Sequence, residues 1–302
     1  MVRTQGLTLP PDDHTHSEWS WDAINGSMEG SCARAVELGL PSIAFTEHID
    51  LDRWYADPDH QPAMLRGELG PVAQRLAGWV DADNCYAMPL LDVDGYLESI
   101  ERCRATFPGL RIVTGLELGE PHWFADRCAA LLATGAFERV LGSLHSVEIG
   151  GKLWEVNGAY RILTRHNLEP EDVVRLYLAD TLQMIESSSI FAVLAHIDYP
   201  VRRIPTDGGP FDPTLLEEEY RAVLRALARS GRALEVNTRI PLDARIVRWW
   251  HEEGGDAVTF GSDAHEPSAV ATGFAEAAAM VEAQGFRPGP APLDFWARRL
   301  TR

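Results

Sequence analysis

Short runs of apolar and β-branched residues alternate along the chain with longer segments in which apolar residues recur every three or four positions. A short apolar run bounded by turn residues is typical of a buried strand, and a spacing of three and four is typical of an amphipathic helix. Seven runs predict strands at Leu7–His16, Ser42–His48, Leu110–Gly119, Arg139–His145, Phe191–His196, Ala233–Thr238 and Ala257–His265. Seven periodic segments predict helices at Met28–Leu38, Val93–Thr106, Trp123–Thr134, Glu171–Ser187, Pro213–Ser230, Ala244–Glu253 and Ala269–Gln284.

Strands that alternate with helices predict a parallel sheet, because each helix returns the chain to the same end of the sheet. Glycine follows several predicted helices, for example at Gly39 and Gly231, where a left-handed residue commonly ends a helix. The chain has no G-x-G-x-x-G or G-x-x-x-x-G-K motif, which disfavours a nucleotide-binding doubly wound sheet. We therefore expect an α/β fold in which seven units form a closed or nearly closed (β/α) barrel.

Residues 50–91 interrupt this rhythm with a segment that is too long for an ordinary loop between a strand and a helix. It contains four prolines, and its aromatic residues include two tryptophans and a tyrosine: Pro58, Pro62, Pro71, Pro89, Trp54, Tyr55 and Trp79. We interpret it as a partly helical insertion over the barrel mouth, and both a lid and a peripheral excursion fit that pattern. The tail after Phe286, with a short helix at Phe295-Trp296, is expected to cap the barrel. No second domain boundary is evident, so residues 1–302 are predicted to form one domain.

Composition narrows the functional classes. Apolar residues make up 45% of the chain, which excludes a disordered protein, and the net charge of -18 disfavours a nucleic-acid binder. No apolar run reaches the length of a membrane span, and the first residues lack the apolar core of a secretory signal. Four scattered cysteines without a C-x-x-C pair predict free thiols and a cytoplasmic protein.

Side chains of the kinds that bind metals stand at the ends of six predicted strands. In a parallel barrel the carboxyl ends of all strands converge on one face, so residues distant in sequence meet there. Six histidines and two carboxylates occupy these ends: His14, His16, His48, Glu117, His145, His196, Asp263 and His265. One histidine at a strand end is more often a structural residue than a ligand. The whole set is hard to assign to packing, because burying such groups without partners is costly.

These motifs together resemble the PHP (polymerase and histidinol phosphatase) superfamily. The resemblance rests on His14-Thr15-His16 with Asp22, Thr46-Glu47-His48, Glu117, Gly142-Ser143-Leu144-His145, His196 and Gly261-Ser262-Asp263-Ala264-His265, in the order that the family shows. It implies a distorted (β/α)7 barrel with the metal site at the carboxyl ends of the strands. It also implies a phosphoesterase with two or three divalent metal ions, and mixed imidazole and carboxylate ligands suit zinc, iron or manganese.

The resemblance implies a distribution of ligands among three metals. His14, His16, Glu117 and Asp263 would bind the first metal, and Glu117 would bridge to a second that His145 and His196 also hold. A third would be bound by Asp22, His48 and His265. No catalytic side chain is implied beyond a metal-bridging hydroxide, which would attack the phosphorus atom.

Other charged residues are candidates for supporting roles. Asp12, Glu47 and Asp198 could orient the histidine ligands, although a solvated loop charge is an equal alternative for each. In the stand-alone histidinol-phosphatase branch, which this chain resembles in length and in its insertion, arginines bind the substrate phosphate. The corresponding candidates here are Arg202, Arg203, Arg239 and Lys152, each of which could instead be a surface charge.

The resemblance implies a metal-dependent phosphomonoesterase of histidine biosynthesis that acts on L-histidinol phosphate, a small phosphorylated metabolite. One alternative is a phosphoesterase of the same superfamily that acts on another small metabolite or a nucleotide. A third possibility is a non-catalytic, metal-binding regulatory module. Neither nucleic acid nor membrane is expected as a partner, and the sequence leaves the oligomeric state open.

Overall fold

A computed structural model describes residues 9–135, 137–204 and 210–298 of the chain. Its described residues form thirteen strands: β1 (Asp12–Thr15), β2 (Ser42–Ile49), β3 (Trp54–Tyr55), β4 (Cys85–Tyr86), β5 (Arg111–Gly119), β6 (Arg139–Ser143), β7 (Ser146–Ile149), β8 (Lys152–Glu155), β9 (Val193–Leu194), β10 (Ala233–Asn237), β11 (Ala257–Gly261), β12 (Phe286–Arg287) and β13 (Trp296–Arg298).

Eleven α-helices lie between these strands in the same described ranges: α1 (Met28–Leu38), α2 (Gln61–Leu65), α3 (Pro71–Ala77), α4 (Val93–Thr106), α5 (Ala125–Leu132), α6 (Val156–Ala159), α7 (Leu163–His166), α8 (Pro170–Ser187), α9 (Glu217–Ser230), α10 (Ala244–Glu252) and α11 (Phe274–Ala283). Short 3-10 turns precede α9 at Pro213–Leu216 and α11 at Pro267–Ala269, so two predicted helices begin later than the periodicity indicated.

Nine strands form one curled sheet in the order β1-β2-β5-β6-β9-β10-β11-β13-β12. The first seven are parallel and follow one another in chain order, as the alternating pattern predicts. The sheet curls so far that β1 meets the loop after β11: the backbone N–H of Asp263 donates to the His14 carbonyl and that of His16 donates to the Ala264 carbonyl, both at 2.8 Å. The chain therefore has a mixed α/β fold built on a curled parallel sheet.

The helices pack against the outside of this sheet through apolar faces with helical spacing. In α9, for example, Tyr220, Val223, Leu224 and Leu227 are buried, and Gly231 ends the helix in the left-handed conformation with φ of 72°. A residue with a side chain is strained at such a φ value, and this is why glycine is common there. None of the described helices combines the length and mean hydropathy that crossing a bilayer would require.

The insertion is partly helical, as predicted, and contains β3, α2, α3 and β4. Trp54 is 1% exposed at the centre of a small separate hydrophobic cluster. Its indole N–H donates to Ser146 Oγ at 2.8 Å, which ties the insertion to β7. The hairpin of β7 and β8 was not predicted, because both strands lie within what the sequence presented as a loop after His145.

The tail continues the curled sheet beyond β11, so the short helix predicted in it is wrong, and its capping of the barrel stays a prediction. Trp296 begins strand β13, which pairs antiparallel with the first residues of β11. The edge of β11 has free backbone groups there, and Trp296 packs edge-on against Phe260 with ring centroids 4.9 Å apart. Phe295 packs with the cluster of Leu141, Val193 and Ala233, near the amino ends of their strands. Residues 1–8 and 299–302, on which the outer ends of the first predicted strand and of the tail fall, lie outside the described residues.

Candidate metal centre

Histidines and carboxylates from six strands and their following loops converge at the carboxyl ends of the curled sheet. Only His14, His48 and Glu117 lie within strands, Asp22 lies further along the loop after β1, and the other predicted ligands follow within four residues of a strand end. Four of the groups with donor atoms within 4.8 Å of one another are His14-His16-Glu117, Glu117-His145-His196, His16-His48-His265 and His48-Asp50-His145. The structure thus brings together the side chains that the sequence nominates, while their roles as ligands stay predictions.

Glu117 is the hub of the cluster and is completely buried. Its Oε1 lies 2.7 Å from His196 Nε2 and 3.3 Å from His145 Nε2. Its Oε2 lies 3.1 Å from His48 Nδ1 and 3.2 Å from His14 Nε2. This carboxylate therefore contacts imidazoles on two sides, which is the arrangement that a bridging ligand requires.

Asp263 and Asp22 supply the other two carboxylates. Asp263 Oδ1 is 3.5 Å from His16 Nε2 and 3.9 Å from His14 Nε2. Asp22 lies in the loop after β1, with Oδ2 2.9 Å from His265 Nε2 and Oδ1 3.5 Å from His48 Nε2. Asp263 has a φ of 52°, a left-handed conformation that is uncommon for a residue with a side chain. Strain of this kind is often found at functional sites.

The donor set suits divalent metals by an observation on individual atoms. Glu117 Oε2 and Asp22 Oδ1 are buried, yet neither accepts a hydrogen bond. Leaving such an acceptor unsatisfied costs about 1–3 kcal/mol, more when it is charged, and a cation removes that cost. Neutral imidazole nitrogens and carboxylate oxygens together suit zinc, iron or manganese.

In the metal-free chain, the histidines and carboxylates of the cluster shift one another's pKa values. Burial alone would raise the pKa of Glu117, but His14, His48 and His145 outweigh that effect and hold its pKa well below the usual value. Burial opposes the protonation of His14, whereas Glu235 and Glu117 raise the His14 pKa well above 6.5. Positive charge from histidine protons thus occupies the place that a metal would take.

Two carboxylates that the sequence reasoning missed contact candidate ligand histidines. Glu235 Oε1 lies 2.6 Å from His14 Nδ1, and its Oε2 accepts a hydrogen bond of 2.7 Å from the His196 backbone N–H. Asp50 Oδ1 lies 2.7 Å from His145 Nδ1. Such partners fix the ring and tautomer of a ligand histidine. A signal was present for Glu235, a single acid in the buried strand Ala-Leu-Glu-Val-Asn, and for Asp50, two residues after His48.

Glu47 is linked to the candidate ligand His16 through the Ser20 hydroxyl. Ser20 Oγ donates to Glu47 Oε2 at 2.5 Å and lies 3.0 Å from His16 Nδ1. Asp12 instead accepts hydrogen bonds from the Ser262 backbone N–H at 3.0 Å and the Ser262 hydroxyl at 2.6 Å, which ties β1 to the loop after β11. Burial raises the pKa of Asp12 to about 7.

Asp198 stands directly before the 3-10 turn Tyr199–Arg203. Burial raises its pKa to about 6, against the attraction of Arg202. Among the described residues, its side chain makes no hydrogen bond to a candidate ligand histidine of the kind that Glu235 and Asp50 make, so an orienting role for Asp198 stays a prediction.

The four candidate phosphate-binding cations divide into two pairs. Arg202 is largely buried and forms a 2.7 Å ion pair with Asp263 Oδ2. Arg239 Nη1 lies 3.3 Å from Asp263 Oδ1 and 2.8 Å from His265 Nδ1. Arg203 is exposed and donates to Asn157 Oδ1 at 3.4 Å, and Lys152 is exposed over the Tyr55 ring, 3.3 Å from its centroid. The structure brings Arg202 and Arg239 to the candidate ligands but shows no such contact for the other pair.

Comparison with known proteins now bears on this cluster. The PHP domain family matches residues 12–239, three quarters of the chain. This chain belongs to the PHP domain family. The match spans the loops and strands that carry every candidate ligand except Asp263 and His265, which lie beyond it in the loop after β11.

Individual relatives of this PHP domain protein align along nearly its whole length. Histidinol-phosphatase of Lactococcus lactis subsp. lactis is 25% identical over 288 residues, which cover 91% of each chain. A protein of Clostridium acetobutylicum, named a probable histidinol-phosphatase, is 24% identical and covers 96% of this chain and 98% of its own. The crystal structure of L. lactis histidinol phosphate phosphatase, complexed with zinc, L-histidinol and phosphate, superposes with a TM-score of 0.72. That superposition covers 93% of this chain and 95% of the other at 23% identity, and it supports the fold.

Metal binding to this PHP domain is expected to release protons at neutral pH. The pKa values of His14, His48 and His145 are raised well above 6.5 in the metal-free chain, with nearby carboxylates outweighing burial in each case. A metal ligand must be a neutral imidazole, so a metal displaces these protons and its affinity rises with pH. Calorimetric titration with zinc at pH 7, in two buffers of different ionisation enthalpy, gives the number of protons released.

The same shifts set the pH dependence of metal-free stability. Raised histidine pKa values contribute stability below pH 6.5 that is lost as pH rises through the folded-state values. The lowered pKa of Glu117 contributes stability above pH 4.5 that is lost as pH falls through its folded-state value. Metal-free protein is therefore expected to be most stable in mild acid. Zinc binding at pH 7 without proton release would contradict the raised pKa values of His14, His48 and His145 in the metal-free chain.

Glu235→Gln is expected to weaken metal binding without unfolding the chain. Glutamine keeps the shape of the side chain but removes the charge that orients His14 and accepts from the His196 N–H. Loss of a partner of this kind typically costs about 10- to 100-fold in metal affinity. Zinc affinity measured by competition with a chelator tests this, with Glu276→Gln, an exposed change on α11, as the control. Equal affinity of the two variants would rule out an orienting role for Glu235.

Proposed function

We propose that this PHP domain protein is a metal-dependent phosphomonoesterase that hydrolyses L-histidinol phosphate. The observation that carries the proposal is one cluster of six histidines and three carboxylates, in which Glu117 contacts five of the histidines and has an Oε2 that is buried without a hydrogen bond. Two relatives that align over nine tenths of the chain bear the histidinol-phosphatase name, and the L. lactis crystal structure contains zinc, L-histidinol and phosphate.

The finer form of the fold belongs to the same proposal. Seven parallel strands in chain order, with hydrogen bonds joining the segments after β1 and β11, support a distorted (β/α)7 barrel that remains one domain. In such a barrel the carboxyl ends of the strands form the active-site face.

Two or three divalent ions, zinc, iron or manganese, are proposed as the cofactors. Such ions, when bound, polarise the phosphate oxygens and make a strong nucleophile from water near neutral pH. His14, His16, Glu117 and Asp263 would hold one ion. Glu117, His145 and His196 would hold a second, and Asp22, His48 and His265 a third. The groups His14-His16-Glu117 and Glu117-His145-His196 support the first two sites, and the contacts of Asp22 with His265 and His48 support the third.

The chain's own residues bind and orient the phosphate. Arg202 and Arg239 both approach Asp263, at 2.7 Å and 3.3 Å. Arginine presents a planar fork of donors that matches two phosphate oxygens. Once Asp263 is committed to a metal, these guanidinium groups can donate to the ester phosphate beside it. Arg203 and Lys152 stay candidates for the outer part of the site.

A different small phosphoester, such as a nucleotide, is the alternative substrate. The net charge of -18 disfavours a long nucleic acid but is compatible with a mononucleotide. A non-catalytic metal-binding module is the lesser alternative, and the complete ligand set argues against it.

The four cysteines are free, in keeping with the reducing cytoplasm that the sequence predicts.

Steady-state hydrolysis tests the proposal. Purified, metal-loaded protein is assayed with L-histidinol phosphate, p-nitrophenyl phosphate and nucleoside monophosphates, with Asp263→Ala as the inactive reference. We expect kcat/KM for L-histidinol phosphate to exceed that for the nucleotides by about 100-fold or more. A preference for a nucleotide would favour the alternative substrate, and equal rates of wild type and Asp263→Ala would favour the non-catalytic module.

A further inference from the structure

A hydrogen-bonded chain of three residues leads outward from the metal cluster along one wall of its mouth. The Tyr199 ring packs against two candidate ligands, with centroids 4.7 Å from His196 and 5.3 Å from His145. The Asn157 side-chain N–H donates to the Tyr199 hydroxyl at 2.7 Å. The same nitrogen donates to Glu155 Oε1 at 2.5 Å. The Glu155 carboxylate is thus two short hydrogen bonds from a ring that touches the metal ligands.

The backbone holds this arrangement in place. The hairpin of β7 and β8 leaves His145 and returns beside it, because the Val156 backbone N–H donates to the His145 carbonyl at 2.8 Å. Arg203 donates to Asn157 Oδ1, which directs the Asn157 nitrogen towards Glu155 and Tyr199. Since the Tyr199 oxygen accepts from Asn157, its own hydroxyl proton is left to donate to a bound molecule.

Glu155 differs from the four carboxylates that contact the candidate ligand histidines or the two nearby arginines, because no cation pairs with it in the described part of the chain. Asp22, Glu117, Asp263 and Glu235 each face a histidine or arginine within 4.0 Å. Among the described residues no such ion pair forms to Glu155, and Arg161 acts on it only at longer range. Burial raises the Glu155 pKa, since a carboxylate shielded from water without a cation is costly.

Helix capping explains only part of this geometry. Glu155 Oε1 accepts from the Asn157 backbone N–H at 2.9 Å and so caps the four-residue helix α6. The shorter side chains of serine and aspartate serve as caps more often than glutamate does. Capping also does not account for the additional link through the Asn157 side chain to Tyr199.

We infer that Glu155, supported by Asn157 and Tyr199, binds a cationic nitrogen of the alcohol portion of the substrate. This inference rests on the proposed phosphomonoesterase function and identifies how the alcohol is selected. Arg202 and Arg239 carry positive charge on the Asp263 side of the mouth, and Glu155 carries negative charge beyond Tyr199. The two ends match a molecule with phosphate at one end and an ammonium or imidazolium group at the other.

The test compares Glu155→Gln with Glu148→Gln, a matched change at an exposed position of the same hairpin. Metal-loaded full-length proteins are assayed with L-histidinol phosphate and with p-nitrophenyl phosphate, which has no cationic nitrogen. We expect Glu155→Gln to lower the ratio of the two kcat/KM values by about 10- to 100-fold, mainly through the KM for L-histidinol phosphate. Glu148→Gln should change this ratio less than twofold. O-Phosphoethanolamine, which has an ammonium group and no imidazole, shows by its own loss or retention which nitrogen Glu155 binds.

An equal loss for both esters in Glu155→Gln would overturn the inference and assign Glu155 a structural role. Turnover of p-nitrophenyl phosphate by the wild type tests the phosphomonoesterase function separately. If neither ester is hydrolysed, calorimetric binding of L-histidinol to the metal-loaded proteins still decides the inference. It is supported if Glu155→Gln binds at least tenfold more weakly than Glu148→Gln, and overturned if the two bind equally or the wild type does not bind.

Discussion

Glu117→Gln is expected to lower kcat by about 10²- to 10⁴-fold and to reduce the bound metal by at least one ion per chain. Both oxygens of Glu117 contact imidazoles at 2.7–3.3 Å in a completely buried position. Glutamine offers one oxygen without charge, and its NH₂ group faces the rings that should bind metal. Removing one partner of a buried charged set costs about 3–5 kcal/mol, which corresponds to that range of rates.

Metal analysis and phosphate release on the same preparations check this expectation. Glu186→Gln, an exposed change on α8, is the control for the chemistry of the substitution. We expect the variant to fold, because the glutamine side chain preserves the volume of the site. Circular dichroism checks that it does. A folded Glu117→Gln protein with full metal content and activity would show that Glu117 does not bridge.

Arg202→Gln is expected to have the second largest effect, a loss of about 10²- to 10³-fold in kcat with the metal content retained. Arg202 is the more buried of the two arginines at Asp263, with 11% of its side chain exposed against 45% for Arg239. A fixed donor aimed at developing charge in a water-poor site typically contributes that much to the rate. The Tyr199 ring lies 4.6 Å from its guanidinium carbon and limits its freedom.

The neighbouring Arg203 provides the comparison for that result. Arg203 is exposed and donates a 3.4 Å hydrogen bond to Asn157 Oδ1. We expect Arg203→Gln to lower kcat less than tenfold. Equal losses in the two variants would mean that charge near the mouth matters more than the contact with Asp263.

The succession of strands and helices was predictable because the buried positions of strands and helices are apolar at different, regular spacings in this sequence. Parallel strands covered by helices have continuous apolar runs, and the chain has seven of them. The ends were less predictable: β9 is only Val193–Leu194, and His145 and His196 lie beyond their strands. The tail escaped prediction because its three-residue strand β13 depends on the free edge of β11, a contact between segments distant in sequence.

The candidate ligands were predictable because they recur at strand ends, where a parallel sheet brings them together. The orienting residues were harder to find, since Glu235 acts 221 positions away from His14 and Asp50 acts 95 positions away from His145. Glu155 had no sequence signal, because neither the β7–β8 hairpin nor the position of Tyr199 was predicted. Such contacts depend on how loops fold over the barrel mouth rather than on any local pattern.

Metal titration of the depleted protein tests whether hydrolysis of L-histidinol phosphate depends on two or three bound metal ions. The wild type is stripped with a chelator, and zinc or manganese is then returned in steps while bound metal and hydrolysis of L-histidinol phosphate are measured together. We expect negligible activity without metal and recovery that saturates at two or three ions per chain. Full activity in the stripped protein, or saturation of binding at two or three ions without any hydrolysis, would contradict a metal-dependent phosphatase function.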